Sequence, residues 1–439
     1  MSLDKFKRKF ISYKRLLEYD TLGSFDFFTC IICLDSIESA RFSEFLEALA
    51  DKNYLVLCKV TPLAVHEFTH FVDSTSTVWG MNHLKKMNEA YCSNNEVGGS
   101  EHEFYKAKRF LEHARSLRLP DYYTLIDGSI TPDRPWQSRI TMGEKFGLDG
   151  KLSGEPVLFS HFSNAHGDLL ARSPVSTVSI LEASAMANEM ITRLSLISEL
   201  DEADKLVENG LYQRESLSFI YNQNITEYSV CVHIVANHLL CKDIFVAFQI
   251  CSIITRLVLN FSGALIENVL ASEIHDILGI PKNHEFEKRV RSGIRGRDLG
   301  ILYFLICSAL PKNTADDPKT MIAGIRLALE KINLSLELLR EEARKEIESI
   351  ANDLGSSKLK AIRLLSIAGF DNFSKIPLTT SGLNVSNLSL PRVYLGDGTE
   401  VDIFRNDNSQ LKDVGIEEIF DELYAGQKWV ERFSEACTA

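Results

Sequence analysis

The chain has no excess of positive charge: 48 Lys and Arg stand against 60 Asp and Glu over 439 residues, a formal net charge of -12. A phosphate backbone is repelled on average by such a surface, which argues against a nucleic-acid-binding role. The chain also lacks an unbroken apolar run of the roughly 20 residues that a membrane span needs. The nearest stretch, Ile244 to Phe261, is interrupted by Gln249 and by Thr255-Arg256, and it reads as a buried core helix. The N-terminal MSLDKFKRKFISYKRLLEYD is basic but has no apolar core or small-residue cleavage site, so it reads as an amphipathic helix and not a secretory signal. Nine cysteines form no disulfide framework, and an odd number without one suits free thiols in a reducing compartment. A cytoplasmic protein with no membrane span is the expectation. No internal repeat or low-complexity tract is present. The composition, 45% apolar and 25% charged, is that of an ordinary globular protein, and the length allows two to three domains.

What is there centres on one stretch, NYLVLCKVTPLAVHEFTHFVDSTSTVWG, from Asn53 to Gly80. Tyr54 to Val60 has the length and apolar content of a buried strand. Thr61-Pro62 then predicts a helix start, with an N-cap hydroxyl and proline at the first helical position. His66, Glu67 and His70 follow as HExxH. Four residues is about one helical turn, so the two imidazoles share a face and can grip one ion. Glu67 lies about 100° round the helix, within reach of a water at such an ion.

HEFTH, with uncharged Phe68, Thr69 and Phe71 and apolar Val72 around it, resembles the metal-binding helix of the zincin metallopeptidases. The resemblance covers this helix and a second one downstream, not the whole chain. It implies one Zn2+ held by His66 and His70, with Glu67 as the catalytic general base that takes a proton from water and passes it to the leaving amine. The pattern HExxHxxGxx[HD] is absent, because position 73 is Asp and position 76 is Ser, so the metzincin branch is excluded.

Two imidazoles do not complete a catalytic zinc site, which takes three protein ligands. Glu182, in LEASAMANE, is the choice for the third. A carboxylate on an otherwise apolar, alanine-rich helix is costly to bury unless it is paired or bound to metal. The arrangement is similar to the gluzincin branch, whose third ligand is a glutamate on a later helix. Glu189, seven residues on, is its rival on the same face. Asp73 is another, or a partner to a ligand histidine's ring N–H. Tyr228, His233 and His161 are candidates by residue type for an oxyanion stabiliser.

The rest of the chain predicts an α+β, predominantly helical protein. A helix at 4–20 precedes a strand at Phe25–Leu34, a helix near 37–50, and helices at 82–93 and 100–117. Hairpins occupy 121–166, and the Glu182 helix runs from Ser176-Thr177 to about Leu200. Helical segments follow near 214–222, 226–240, 243–258, 261–278 and 298–310. One long helix spans Asp317 to Gly355, with an apolar seam for packing within the chain. After about Ser356 come a short helix, a hairpin turning at Asp397-Gly398, and a terminal helix from Gly415. The division expected is a zincin-like catalytic region over 1–210, a helical region over 211–355, and a small α+β region over 356–439.

Other features read as structural. Cys30 and Cys33 are core cysteines of a strand, and Lys288, Arg289, Arg291, Arg295 and Arg297 form a basic cluster that is solvated or contacts acidic surface in the same chain. The function expected is an intracellular zinc metallopeptidase that hydrolyses a protein or peptide substrate. A protein partner through the helical C-terminal region is also expected. The alternatives are a non-catalytic interaction protein whose HExxH helix is structural, or a zinc hydrolase of a non-peptide bond.

Overall fold

Asp26 divides the apolar run expected as one strand at 25–34. Its carboxylate accepts from the Phe28 amide (2.8 Å) and the Thr29 hydroxyl (2.9 Å), which closes a turn with Cys30 at φ 55°. The run therefore folds back as two short antiparallel strands, β1 (Ser24–Phe25) and β2 (Ile32–Leu34). The computed structural model describes residues 22–147, 150–404, 406–412 and 414–437, and the expected helix at 4–20 lies outside them.

After α1 (Ser39–Asp51), the segment expected as a strand at 54–60 is helical instead. Helix α2 runs without a break from Tyr54 to Thr75, with Pro62 in its interior. Burial shows why: Leu57, Val60 and Ala64 are buried while Leu55 and Lys59 are exposed, a helical and not an alternating period. Pro62 removes one backbone bond, a cost of about 3 kcal/mol that the packing of this helix overrides. Fifteen of its 22 residues are buried, including every residue from Ala64 to Thr75.

Helices α3 (Val78–Cys92) and α4 (Tyr105–Leu117) follow, then the expected hairpins as β3 (Leu125–Ile126), β4 (Gln137–Phe146), β5 (Leu152–Ser163) and β6 (Leu169–Pro174). They form an antiparallel sheet in the order β3-β6-β5-β4. From β6 the chain passes through Val175 into α5 (Thr177–Ser198). Its start is set by a capping box in which the Ser176 and Ser179 side chains each bond the other's amide. Helix α5 packs along α2, and this contact positions the site.

The remaining helices surround this pair. They are α6 (Glu202–Ile220), α7 (Thr226–Leu239), α8 (Ile244–Leu259), the five-residue α9 (Ile266–Leu270) and α10 (Ile274–Leu278), α11 (Glu285–Arg295) and α12 (Leu299–Ala309). Helix α8 is the apolar segment of the opening reading and is almost wholly buried. Among the described residues no single helix is long and apolar enough to cross a membrane. The helix expected over 261–278 is instead α9, α10 and a 3-10 turn before them.

The long helix expected over 317–355 is two helices, α13 (Pro318–Lys331) and α14 (Leu336–Leu354). Asn333 takes a left-handed conformation (φ 58°), and Ser335 caps the new helix by accepting from the Leu338 amide. The seam itself is buried within the chain, from Ile325 and Leu329 through Leu339, Ala343 and Ile347. Helix α15 (Lys360–Lys375), strands β7 (Val393–Leu395) and β8 (Glu400–Val401), and α16 (Ile416–Cys437) complete the chain. Strand β7 pairs parallel to β2, so the tail joins the N-terminal strands in one sheet of order β1-β2-β7-β8. The described residues are thus predominantly helical with two small sheets. One buried core takes in Phe68, Leu257 and Val430, residues from all three expected regions, and position 210 lies inside α6.

Candidate metal centre

Helices α2 and α5 bring His66, His70 and Glu182 together, with the ligand atoms of all three within 4.8 Å of one another. Glu182 Oε2 is 3.4 Å from His70 Nε2 and 3.7 Å from His66 Nε2. Each of the three residues is only 4% exposed. Two ligands about 2.1 Å from a tetrahedral zinc lie about 3.4 Å apart, close to the two Glu182–histidine separations. A second acid–histidine trio, Glu273, His275 and Asp276, is exposed in part and lies at the start of a five-residue helix.

The far side of the His66 ring is also fixed. Its Nδ1 is 2.8 Å from Glu189 Oε2, so a neutral ring donates Nδ1–H to Glu189 and turns the Nε2 lone pair toward Glu182. Glu189 is thus a partner to His66 and is not in the cluster itself. Nε2 of His66 and Oε2 of Glu182 make no hydrogen bond although both are buried. A lone pair facing a buried carboxylate oxygen is repulsive unless a proton or a cation lies between them. The donor set, two imidazole nitrogens and a carboxylate, fits Zn2+.

The electrostatics agree. Burial works against the charged form of His66, but Glu182, Glu189 and Glu67 outweigh it and hold its pKa well above the ordinary histidine range. His70 is raised by Glu182 and Glu67 against the same burial. Burial pushes the Glu182 carboxyl up, and the two imidazoles more than reverse this, bringing it down to about 2. The acids thus favour a positive charge at the two imidazoles.

Glu67 is 1% exposed and near enough to both imidazoles to act on their charge. Gly23 makes room for it: a Cβ on Gly23 would stand 2.8 Å from Glu67 Oε1 and 3.1 Å from its Cγ. Phe25 stacks on the His70 ring (6.2 Å, 24°) and Phe27 meets it edge-on (6.0 Å, 66°), so the β1–β2 turn walls the centre. Neither contact is visible in the HExxH motif, and no local sequence signal marks Gly23, Phe25 or Phe27.

The chain matches no family model, no curated protein and no solved structure. What can be said of the site therefore rests on its own geometry.

The other candidates fall elsewhere. Asp73 is buried, but its Oδ2 and the Nδ1 of His70 each make no hydrogen bond, so the pair does not form the alternative ring contact. Burial raises the Asp73 carboxyl to about 6 against opposing contributions from Ser184, His70 and Arg256. His233 is committed to the core, stacked on Trp136 (5.7 Å, 13°) and 3.1 Å from the Ile220 carbonyl. His161 meets the Thr141 hydroxyl (2.9 Å) across β4 and β5, and Tyr228 packs edge-on to Phe219. Cys30 and Cys33 are buried as expected, Cys33 in β2 and Cys30 in the turn before it. The basic cluster contacts acids of the same chain, with Arg289 to Glu144 (3.1 Å), Arg291 to Glu287 (2.9 Å) and Arg297 to Glu346 (3.2 Å).

Proposed function

We propose that the protein is a zinc-dependent hydrolase of the metallopeptidase type, with His66, His70 and Glu182 holding the ion and Glu67 serving as general base. The observation that carries this reading is the convergence of three buried ligand groups from two helices, with their ligand atoms within 4.8 Å of one another. The resemblance of HEFTH to the zincin helix supports the same assignment. A bound zinc supplies Lewis acidity and a water of lowered pKa. Glu67, adjoining both ligand histidines on α2, accepts a proton from water and returns it to a leaving amine. Glu189 holds the His66 ring in one tautomer, and Phe25 and Phe27 keep bulk water from the His70 side. The substrate class is a protein or peptide. The setting is reducing and cytoplasmic, consistent with nine free cysteines.

The burial of all four side chains favours a second reading, in which the ion joins α2 to α5 and no turnover occurs. Metal analysis and two variants separate these readings. Zinc near one equivalent in the purified protein, lost in Glu182→Ala, establishes the centre. Turnover of a peptide library that disappears in Glu67→Gln while zinc stays bound establishes the hydrolase. Unchanged turnover in Glu67→Gln rejects the mechanism, and less than about half an equivalent of zinc rejects the centre.

A further inference from the structure

A cleft of about 630 Å³ is lined by parts of α3, α4, β5 and the α11–α12 junction. Its size falls within the range of about 300–1,000 Å³ typical of small-ligand sites. Of the three lysine and arginine side chains on its walls, Lys145 and Arg297 are ion-paired and Lys86, among the described residues, is not. Glu155 is paired with Lys145 (3.2 Å), and Asp298 is used in capping α12, accepting from the Ile301 amide (2.9 Å). Arg297 commits only Nη2, to the Phe261 carbonyl (3.0 Å) and Glu346 (3.2 Å), and Nη1 makes no hydrogen bond among the described residues. It is held at φ 54°, a left-handed conformation that is uncommon outside glycine and is maintained here by its surroundings.

Lys86 is the more telling group. Among the described residues no carboxylate pairs with it, and its ammonium rests on Nδ1 of His113 (3.1 Å). The donors then follow one direction. Lys86 donates to His113 Nδ1, His113 Nε2–H donates to His83 Nδ1 (3.3 Å), and His83 Nε2–H donates to the Phe27 carbonyl (2.9 Å). Burial holds both imidazoles neutral, His83 down to about 4, which is the state this order of protons requires. Enclosure and the nearby charges of Arg297 and Arg109 pull Lys86 below the ordinary lysine range, against the opposing charge of Glu89. Lys86, with no carboxylate in contact among the described residues, and Nη1 of Arg297 leave cationic donors in the cleft for an anionic group. Trp79, stacked on His83 (5.5 Å, 17°), adds an aromatic surface beside them.

We propose that this cleft binds a small anionic ligand with a planar or apolar body, its carboxylate or phosphoryl group held by Lys86 and Arg297 and its body against Trp79. The assignment stands independently of any zinc at His66, His70 and Glu182.

The test is calorimetric titration of the full chain with phenyl phosphate, benzoate and inorganic phosphate, followed in parallel by tryptophan fluorescence. Saturable binding is expected, with an aromatic anion bound more tightly than inorganic phosphate. The tighter of phenyl phosphate and benzoate identifies the headgroup. Lys86→Met and Arg297→Gln should each weaken binding by about tenfold or more. Lys85→Met, whose ion pair with Asp353 (3.1 Å) lies outside the cleft, should leave it unchanged. Wild-type binding should also weaken as salt is raised, a readout that needs no variant. No saturable binding of any of the three below about 10 mM overturns the proposal, as does equal weakening by Lys85→Met and Lys86→Met.

Discussion

Oε2 of Glu189 lies 2.8 Å from Nδ1 of His66, on the opposite side of the ring from Glu182. The two carboxylates are seven residues apart on α5 and serve one imidazole in different ways. Glu182 faces the nitrogen that would hold the proposed metal, and Glu189 fixes which nitrogen that is. Partners of this kind are worth about 10- to 100-fold in metal affinity. Glu189→Ala should therefore weaken zinc binding by that factor in a chelator competition, and the protein should stay folded because this side chain is partly exposed. Affinity unchanged within about twofold would leave Glu189 without the orienting role given to it here.

Gly23→Ala probes Glu67 without touching it chemically. The added methyl would meet Glu67 Oε1 at 2.8 Å and Cγ at 3.1 Å, so the carboxylate must move. Bound zinc should stay near the wild-type level, and turnover of a peptide substrate should fall by about tenfold or more, because a general base must lie within hydrogen-bond reach of its proton. A loss of stability of about 1–2 kcal/mol should accompany it. Undiminished turnover would place Glu67 outside the chemistry.

The extent to which this site could be read from the sequence follows from where each part of it is encoded. His66, Glu67 and His70 share a helix, and a spacing of one turn fixes their relation wherever the helix goes. Glu182 was legible for a different reason, as a carboxylate in the apolar, alanine-rich part of its helix. Its distance from the histidines depends on how α5 packs on α2, which no local pattern states. The run at 54–60 misled because an apolar heptapeptide before Thr-Pro satisfies both a strand and a buried helix, and the deciding fact, Leu55 and Lys59 facing outward one turn apart, is a tertiary one. Asp26 and Asn333 were each visible as polar residues in otherwise regular runs, and each marks the point where an expected single element is two. The parallel pairing of β2 with β7, some 360 positions apart in the chain, has no local signal at all.

Glu227, in the first turn of α7, gives a pH dependence of known sign. Burial pushes its carboxyl up to about 7 despite the Arg118 guanidinium 3.2 Å away, and the nearby Glu182 and Asp121 charges push the same way. The folded chain therefore holds this proton more tightly than the unfolded chain. The stability it contributes is fully present below about pH 4.5 and is lost as pH rises through about 7. Glu227→Gln imitates the protonated form, so relative to wild type it should gain on the order of 1–2 kcal/mol between about pH 5 and pH 8. Urea unfolding of both proteins at the two pH values measures this. A stability difference that does not change with pH, or that falls as pH rises, would show that the carboxyl titrates normally.

Arg256 tests how the tail is held against the metal-site helices. It is buried on α8, and its guanidinium donates to the carbonyls of Pro377 (3.1 Å), Thr380 and Gly382 (2.9 Å). Three carbonyls of one irregular segment thus depend on one side chain, and Asp73 on α2 is close enough to favour its charge. Removing a buried donor leaves its acceptors unsatisfied, at about 1–3 kcal/mol for each group that finds no water. Arg256→Met should accordingly destabilise by about 2–4 kcal/mol, with water entering the gap to satisfy some of the carbonyls. Arg256→Lys should recover less than half of the loss, because a single ammonium cannot reproduce a planar fork that reaches three acceptors. Denaturant unfolding of the two variants separates loss of charge from loss of geometry. If the lysine variant matched wild type, charge near Asp73 would be the whole contribution and the fork of bonds to residues 377–382 would add nothing.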